Sequence, residues 1–253
     1  MRAHAASYNT SMAVSFFSLN IEADRHLDVI AAYIAKVQPE VIQFQEIYRI
    51  HAEAWATQFG YTCTFVPHVD FTVAEHIFKP IGEWGIATLT KKVLHRTWHG
   101  YYSAAPHTIP HEFMKIMQHP RALLMTELEA DGTIYTFGNT HFTWAMPDQA
   151  DQVQAADFTR LQAYLRTYPS FVLSGDFNAP RGSLVWNELS REYITWVPES
   201  VESTLDSVLF RKPGLKLVVD HLFSTPDYVC DNVRVLTGLS DHCAIAATIR
   251  KQN

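Results

Sequence analysis

At 253 residues the chain is long enough for one large domain or two small ones. Apolar residues make up 47% and charged residues 18%, so the chain can bury a substantial core, which excludes an intrinsically disordered protein. A net charge of −6 argues against tight, non-specific binding to duplex nucleic acid, because such binding is dominated by basic residues.

The cellular setting is predicted to be the cytoplasm. The N-terminal residues lack the apolar core and cleavage site of a signal peptide, and no apolar run is long enough to span a bilayer. The three cysteines, Cys63, Cys230 and Cys243, lie in apolar strand-like segments without zinc-site spacing. Buried, reduced thiols are therefore expected, as in a reducing compartment.

The first part of the chain predicts strands alternating with helices. Apolar residues at helical spacing follow a first strand, and Pro39 ends that helix. The expected elements are a strand at 13–19, a helix at 27–37, a strand at 41–45, a helix at 51–59, and strands at 61–65, 84–89 and 93–98. Residues 66–83 and 100–120 carry prolines without a clear period and are predicted to be loops.

The second part predicts a hairpin, two helices and four further strands. The expected elements are strands at 122–129 and 133–138 around a turn at 130–132, a helix at 158–168, a strand at 171–173, a helix at 184–189, and strands at 217–223, 228–236 and 243–250. Neither a flexible linker nor an internal repeat interrupts the chain. We expect one domain over residues 1–253, with two packed sheets and helices on their outer faces.

The most informative segment runs from Leu173 to Pro180, where an apolar strand leads into Gly175, Asp176 and Asn178. Side chains at i and i+2 of an extended strand share a face, so Asp176 and Asn178 are predicted to point the same way, with Phe177 opposite. A carboxylate and a carboxamide at the rim of a sheet can hold a water, a metal or a phosphate oxygen.

The same change from apolar to polar residues recurs at other strand ends. The series comprises Leu19-Asn20, Gln43-Phe44-Gln45-Glu46, Asn139-Thr140-His141, Gly175-Asp176-Phe177-Asn178, Val219-Asp220-His221 and Ser240-Asp241-His242. Each group alone is weak evidence, but the ordered set resembles the endonuclease/exonuclease/phosphatase family, the DNase I-like and exonuclease III-like superfamily. This resemblance implies an α/β fold, a four-layer α/β/β/α sandwich of two mainly antiparallel sheets, with the site at one end.

The resemblance also implies a divalent-metal-dependent phosphoester hydrolase. Glu46 offers a hard anionic oxygen for Mg²⁺ or Mn²⁺, with Asn20 beside it and Asp241 reaching the metal directly or through water. A bound divalent ion would offset phosphate charge during attack.

The remaining roles follow from the matched positions. Asp220 would orient His242 as a dyad, and the base that activates water is either Asp176 or His242. The amide of Asn178 would contact a phosphate oxygen, and His141 would contact the phosphate or assist the leaving group.

Three other residues near these motifs have less certain roles in the sequence pattern: Arg121, Glu22 and His221. Arg121 is a candidate phosphate clamp, although an ordinary surface arginine would have the same sequence context. Glu22 stands where the family often has an acidic or polar residue, but a glutamate in a solvated turn would look the same in the sequence. His221 is expected to face away from the site and receives no catalytic role.

Substrate choice is expected to depend on loops at the metal end. Residues 66–83 and 100–119 are rich in aromatics and histidines, and Trp144 follows the His141 strand as a candidate substrate contact. Most of these residues are expected to pack the loops onto the sheets.

Three functions remain open. The first is a phosphodiesterase or nuclease, the second a phosphatase or phosphodiesterase for a small molecule or lipid headgroup, and the third a non-catalytic binding module. The third requires loss of a catalytic residue, and all are present. The partner is therefore expected to be a phosphoester, a nucleic acid or a small phosphorylated molecule. The sequence leaves the oligomeric state open, with a monomer favoured.

Overall fold

The strands and helices form two sheets flanked by helices. The structure is a computed structural model and describes residues 13–71, 81–103, 109, 120–146 and 150–252. In chain order the elements are β1 (Val14–Asn20), α1 (Leu27–Val37), β2 (Val41–Tyr48), α2 (Arg49–Phe59), β3 (Thr62–Asp70), β4 (Glu83–Thr90), β5 (Val93–Tyr101), β6 (Ala122–Ala130), β7 (Thr133–His141), α3 (Ala150–Leu165), β8 (Val172–Asp176), α4 (Leu184–Glu192), β9 (Ile194–Thr195), β10 (Asp220–Ser224), β11 (Tyr228–Leu236) and β12 (Ala244–Lys251).

Each sheet has six strands with one parallel pair at its centre. The first sheet has the order β11-β12-β1-β2-β4-β3, and the second β5-β6-β7-β8-β10-β9. Strands β1 and β2 run parallel, as do β7 and β8, while every other pair among the described strands is antiparallel. Both sheets are thus mainly antiparallel, as predicted.

Three apolar clusters define four layers. Ile30 and Ile34 of α1 pack with Trp55 of α2 on the outer face of the first sheet. Residues from both sheets fill the space between them; this inter-sheet cluster includes Phe16, Val41, Phe137, Val172 and Ile249. Side chains of α3 and α4 cover the outer face of the second sheet through Leu161, Leu165 and Leu189. The α/β/β/α sandwich is confirmed.

One predicted loop is partly wrong. Strand β3 continues through Pro67 to Asp70, whereas the prolines of residues 66–83 suggested irregular structure from Val66 onwards. Strand β3 lies at the edge of its sheet, and its pairing with β4 shifts register between Pro67 and Val69. An edge strand with a bulge tolerates a residue that lacks an N–H donor. Residues 72–80 lie outside the described part.

Two strand boundaries also differ from the prediction. Strand β2 runs past Glu46 to Tyr48, because a bulge lets the strand continue beyond the polar residue. Strand β10 begins at Asp220 rather than at Leu217. Among the described helices, none has the length and apolar character needed to cross a membrane.

Candidate active site

Four of the predicted site residues lie at the carboxyl ends of the central parallel strands. Asn20 ends β1 and is paired with Gln45, the residue before Glu46 on β2. In the second sheet, His141 ends β7 and is paired with Asp176, the last residue of β8. Parallel strands end at the same edge of a sheet, so each sheet brings two polar side chains to one edge. The two edges face each other across the sandwich.

The side chain of Asn20 connects the two sheets. Its Nδ2 donates to Glu46 Oε1 at 3.2 Å and to Asp176 Oδ2 at 3.0 Å. Its Oδ1 accepts the backbone N–H of Glu22 at 3.2 Å, and the residue is almost fully buried. The amide orientation is therefore fixed by three partners, and Asn20 holds two carboxylates from different sheets near each other.

Glu46 owes its orientation to a local irregularity of β2. It has a φ of 56°, and the register with β4 shifts between Phe44 and Ile47. Such bulges re-aim a side chain and recur at functional sites. About a third of the Glu46 side chain reaches solvent, yet burial of the carboxyl raises its pKa to about 7, while Asn20 and His242 act in the opposite direction.

Asp176 and Asn178 meet through a turn and not through strand alternation. Asn178 has a φ of 48°, and its backbone N–H donates to Asp176 Oδ1 at 2.8 Å. Its side-chain amide donates to the carbonyl of Phe142 at 3.0 Å, while Phe177 is buried in the apolar cluster under α3 and α4. The predicted shared strand face is wrong, because the chain leaves the extended conformation after Asp176. The bond to Phe142 uses one of the two amide hydrogens of Asn178.

His242 and Asp220 form the predicted dyad. His242 Nδ1 donates to Asp220 Oδ2 at 2.9 Å, and His242 Nε2 lies 3.8 Å from Asp176 Oδ2. The backbone N–H of Asp220 donates to Thr204 Oγ1 at 3.0 Å, which fixes the start of β10. Burial lowers the pKa of His242, but the carboxylates of Asp220 and Asp176 outweigh it and hold this pKa well above its usual value.

His141 lies between the carboxylates of the two sheets. Its Nε2 is 3.5 Å from Asp176 Oδ2 and 3.7 Å from Glu46 Oε1. The ring of Trp84 packs against it with a centroid distance of 5.9 Å. Burial raises the pKa of Asp176, which the charge of His242 opposes. Asp176 is thus a stronger base than an ordinary carboxylate.

Arg121 is buried beside the cluster and is not a surface arginine. Only 3% of it is exposed, and among the described residues its Nη1 has no hydrogen-bond partner. Its backbone is held by the hydroxyl of Ser103 and the N–H of Tyr102. Glu46 and Asp176 are close enough to oppose the lowering of the Arg121 pKa by burial. A buried guanidinium N–H without a partner is suited to an anionic oxygen.

Asp241 lies on the Glu46 side of the cluster. It is almost fully buried, and its charge contributes to the raised pKa of Glu46. Burial raises the pKa of Asp241 itself, and the nearby charge of Glu22 adds to this. Glu22 pairs with Arg25 at 2.9 Å and with His26 at 3.1 Å, so it lies at the rim.

Two further predicted positions lie apart from the cluster. His221 faces the outer side of β10, where its Nε2 donates to the carbonyl of Ala179 at 3.0 Å. Burial lowers the pKa of His221 to about 4, so it is neutral. Trp144 is partly exposed beyond β7, and no hydrogen bond or ring contact links it to the cluster within the described ranges.

Only the ends of the two predicted aromatic loops can be placed. Tyr102 stacks on Phe142 at 5.4 Å, and Phe71 packs on Trp84 at 6.5 Å, so both serve packing as expected. The other aromatic and histidine residues of these loops, apart from His68 and Tyr101, lie in 72–80, 104–108 and 110–119, outside the described residues.

Three supporting residues carry no motif and escaped sequence reasoning. Gln154 of α3 donates to the carbonyl of Asn178, and Thr204 accepts from the start of β10. Phe210 places its ring 6.3 Å from that of His242, nearly perpendicular to it. All three depend on how helices and loops pass the site, for which a single sequence contains no local signal.

The donor set suits a hard divalent cation. Asp176, Asp220 and His242 have ligand atoms within 4.8 Å of one another and could hold a metal. The charge of Asp241 is near enough to raise the pKa of Glu46, and a bound cation would relieve this repulsion. Carboxylate and amide oxygens are the ligands that Mg²⁺ and Mn²⁺ favour.

Comparison of the sequence with family models agrees with this geometry. A model of the Endonuclease/Exonuclease/phosphatase family matches residues 6–242, and the chain belongs to this family. Members of the family are hydrolases that act on phosphoesters. No curated protein sequence matches the chain significantly.

Solved structures of low sequence identity share the fold. The human Nocturnin catalytic domain with bound sulfate anion is 16% identical and has a TM-score of 0.72. The match covers 94% of this chain and 93% of the Nocturnin chain. Mannosyl-6-phosphatase Bt3783 from Bacteroides thetaiotaomicron VPI-5482 is 15% identical and has a TM-score of 0.70. The match covers 93% of this chain and 99% of the phosphatase chain. ANGEL2, a 2',3'-cyclic phosphatase in complex with adenosine-2',3'-vanadate, is 14% identical and has a TM-score of 0.68. The match covers 97% of this chain and 98% of the ANGEL2 chain.

Proposed function

We propose that this protein is a divalent-metal-dependent phosphodiesterase that cleaves nucleic acid or a nucleotide end. The observation that carries the proposal is the meeting of Asn20 and Glu46 from one sheet with His141 and Asp176 from the other, over distances of 3.0 to 3.7 Å. Buried carboxylates of raised pKa beside imidazoles, at one edge of a rigid sandwich, are typical of a hydrolytic site.

Glu46 and Asp241 would hold Mg²⁺ or Mn²⁺ through carboxylate oxygens, with Asn20 beside them as a support, since its Nδ2 faces the carboxylates and its Oδ1 accepts the N–H of Glu22. Among Glu46, Asp241 and Asn20, Glu46 is the most accessible to solvent. When bound, the metal offsets the charge of the phosphate and polarises it for attack. The chain's own cation for the phosphate is Arg121, whose Nη1 has no other partner in the described part of the chain.

Proton transfer is divided between Asp176 and His242. Because the carboxylates of Asp220 and Asp176 raise the pKa of His242, they favour its protonated form, and the imidazolium would stabilise negative charge that builds up on the phosphoryl oxygens. Asp176 accepts the proton of the attacking water, a role favoured by its raised pKa. His141 contacts the phosphate or the leaving oxygen, and Asn178 donates its remaining amide hydrogen. Trp144 would contact the group attached to the phosphate.

A second candidate is hydrolysis of a small phosphorylated molecule or a lipid headgroup. The net charge of −6 favours it, since a long polyanion would meet electrostatic repulsion outside the site. The fold alone does not separate these candidates, because the structural neighbours named above include both a sugar phosphatase and a cyclic phosphatase.

Both candidates are tested with a substrate panel in Mg²⁺ and Mn²⁺. We expect cleavage of labelled single- or double-stranded oligonucleotides, and its loss in Glu46→Ala and in His242→Ala. Matched controls are Glu53→Ala, at an exposed glutamate of α2, and His95→Ala, at an exposed histidine of β5; both should keep full activity.

Release of phosphate from small phosphoesters without cleavage of any oligonucleotide would replace the first candidate with the second. Absence of hydrolysis on the whole panel would overturn the enzymatic proposal.

A further inference from the structure

The loop formed by residues 207–216 is anchored to the segment that carries Asp241 and His242. The carboxylate of Asp206 accepts the backbone N–H groups of Val208 and Leu209, each at 2.9 Å. It also accepts the N–H of Gly238 at 2.7 Å, and the backbone N–H of Asp206 donates to the carbonyl of Asp241 at 2.8 Å. The start of the loop therefore has a defined position relative to the candidate site.

Phe210 turns from this loop towards the site. Its ring centroid lies 6.3 Å from that of His242, with the ring planes at 82°. Phe210 is half-buried, whereas the other residues of the loop are exposed. A group attached to a phosphate beside His242 would thus lie near an aromatic ring that is still partly open to solvent.

The 207–216 loop carries positive charge beside a site that is rich in carboxylates. It contains Arg211, Lys212 and Lys216 and no acidic residue, in a chain of net charge −6. Lys216 is paired with Glu202 at 2.6 Å, and no ion pair engages Arg211 or Lys212 within the described ranges. The charge of Arg211, the residue after Phe210, opposes the raised pKa of Asp241, so this guanidinium lies within electrostatic range of the site.

We propose that the 207–216 loop is a nucleotide subsite, in which Phe210 stacks on the base of the nucleotide bearing the scissile phosphate and Arg211 binds the neighbouring phosphate. The inference rests on the proposed phosphodiesterase function and narrows its substrate to single-stranded or terminal nucleotides. Stacking on a side chain requires a base that is not stacked in a duplex, and an aromatic paired with a cation is the usual combination in single-strand binding.

A lipid surface is the competing occupant of this loop. Val208 is 85% exposed and Leu215 41%, so both could enter an interface. The observations favour the nucleotide, because the ring of Phe210 faces His242, beside the proposed position of the phosphate, whereas a lipid surface would meet the exposed side chains of Val208 and Leu215.

The binding test uses a labelled single-stranded hexanucleotide and fluorescence anisotropy in EDTA, so that no metal or turnover contributes. Phe210→Leu should weaken binding by roughly 5- to 100-fold, the range expected for one stacked base, whereas Phe210→Trp keeps it. Arg211→Ala should weaken binding and lower the slope of log Kd against log salt by about one relative to the neighbouring control Lys212→Ala.

The kinetic test compares the same nucleotide with an aliphatic phosphodiester, glycerophosphocholine, in Mg²⁺. Phe210→Leu should raise KM for the nucleotide, change kcat less, and leave kcat/KM for the aliphatic substrate unchanged. An equal loss on both substrates would overturn the proposal, since Phe210 would then only support His242. Nucleotide binding unchanged in both variants would also overturn it.

Two further outcomes separate the inference from the function on which it rests. Phe210-dependent binding in EDTA without hydrolysis of any phosphoester would support the subsite while refuting the enzymatic proposal. Hydrolysis of small phosphoesters without any nucleotide binding would overturn the subsite alone. Sedimentation of the protein with phosphatidylserine vesicles, lost in Val208→Asp but kept in Phe210→Leu, would assign the loop to a lipid surface instead.

Discussion

The side-chain amide of Asn20 donates to the carboxylate of Asp176, 156 positions further along the chain, over 3.0 Å. The same nitrogen also contacts Glu46. One uncharged side chain thus sets the separation of two carboxylates that belong to different sheets. Asn20 therefore orients the carboxylates of Glu46 and Asp176, a role separate from that of a candidate metal ligand.

Replacement of Asn20 by alanine should therefore weaken both metal binding and turnover. Without the amide, the pKa values of Glu46 and Asp176 should rise further, since its hydrogen bonds lower both. We expect a loss of roughly 10- to 100-fold in Mg²⁺ affinity and in kcat/KM, as for other groups that orient ligands. Calorimetric titration with Mg²⁺ measures the first and steady-state kinetics the second.

The matched control is Asn187→Ala, whose amide contacts the carbonyl of Gly182 at the surface of α4. It should leave both quantities unchanged. An Asn20→Ala protein with wild-type Mg²⁺ affinity would contradict the supporting role.

Replacement of Asp220 by asparagine should lower the pKa of His242. Burial lowers this pKa and the Asp220 charge is the largest influence that raises it, so His242 should titrate at a lower pH in the variant than in the wild type. NMR titration of the metal-free protein measures the shift, with the His242 signal assigned by its absence in His242→Ala. Activity should fall by roughly 10²- to 10⁴-fold, the usual contribution of such proton transfer groups.

An unchanged His242 titration in Asp220→Asn would show that the 2.9 Å contact does not control the imidazole charge. His221→Asn is the control at the adjacent position, because that ring faces the outer side of β10. It should leave the titration of His242 where it is.

The sequence was sufficient to predict the layers and most of the residues that gather at the site. Asp176 ends β8, Asp220 begins β10 and Glu46 lies two residues before the end of β2, so all three carboxylates fall at or near strand ends, as expected because a buried strand interior does not accommodate an unpaired carboxylate. The pairing of strands then brought these ends together. Their chemical roles stay predictions.

Other features depended on tertiary context. Pro67 indicated a loop, but an edge position with a bulge accommodates it within β3. The orientation of Asn178 follows from a turn closed by Asp176, which strand periodicity does not describe. Phe210 lies beside His242 in a loop whose backbone Asp206 binds, and no local sequence pattern encodes that path.

Gly175, which precedes Asp176, should not tolerate a side chain. Its φ is 145°, and a Cβ there would lie 1.8 Å from the carbonyl oxygen of Thr140 on the neighbouring strand. Because this obstacle is backbone, Gly175→Ala has to displace β8 relative to β7. We expect a loss of more than about 3 kcal/mol in the free energy of unfolding, measured by urea denaturation.

Gly132→Ala provides the comparison for that variant. Gly132 also has a positive φ, 78°, but a Cβ added there would meet nothing within 4 Å. Gly132→Ala should therefore lower the free energy of unfolding by about 1 kcal/mol, the cost of a left-handed backbone conformation at a residue with a Cβ. Equal losses in the two variants would mean that the close approach of β7 and β8 contributes nothing.

The metal-free protein should lose stability as the pH rises towards 8. Burial raises the pKa of Glu46 to about 7, and the pKa values of Asp176 and Asp241 are raised as well. Unfolded carboxyls titrate near pH 4, so between about pH 4 and 7 the folded state binds more protons, and stability falls with pH. The raised pKa of His242 acts in the same direction, since its contribution is lost as the pH passes that value. We expect Tm to fall by on the order of 5 °C between pH 5.5 and 8 in EDTA.

Mg²⁺ should reverse this loss, because a metal binds the ionised carboxylates that are unfavourable without it. Differential scanning calorimetry should therefore show a larger rise in Tm with Mg²⁺ at pH 8 than at pH 5.5. In Glu46→Gln the amide cannot ionise, so both the pH dependence and the effect of Mg²⁺ should shrink. A metal-free Tm that increases from pH 5.5 to 8 would contradict the raised carboxyl pKa values and, with them, the electrostatic basis assigned to the metal site.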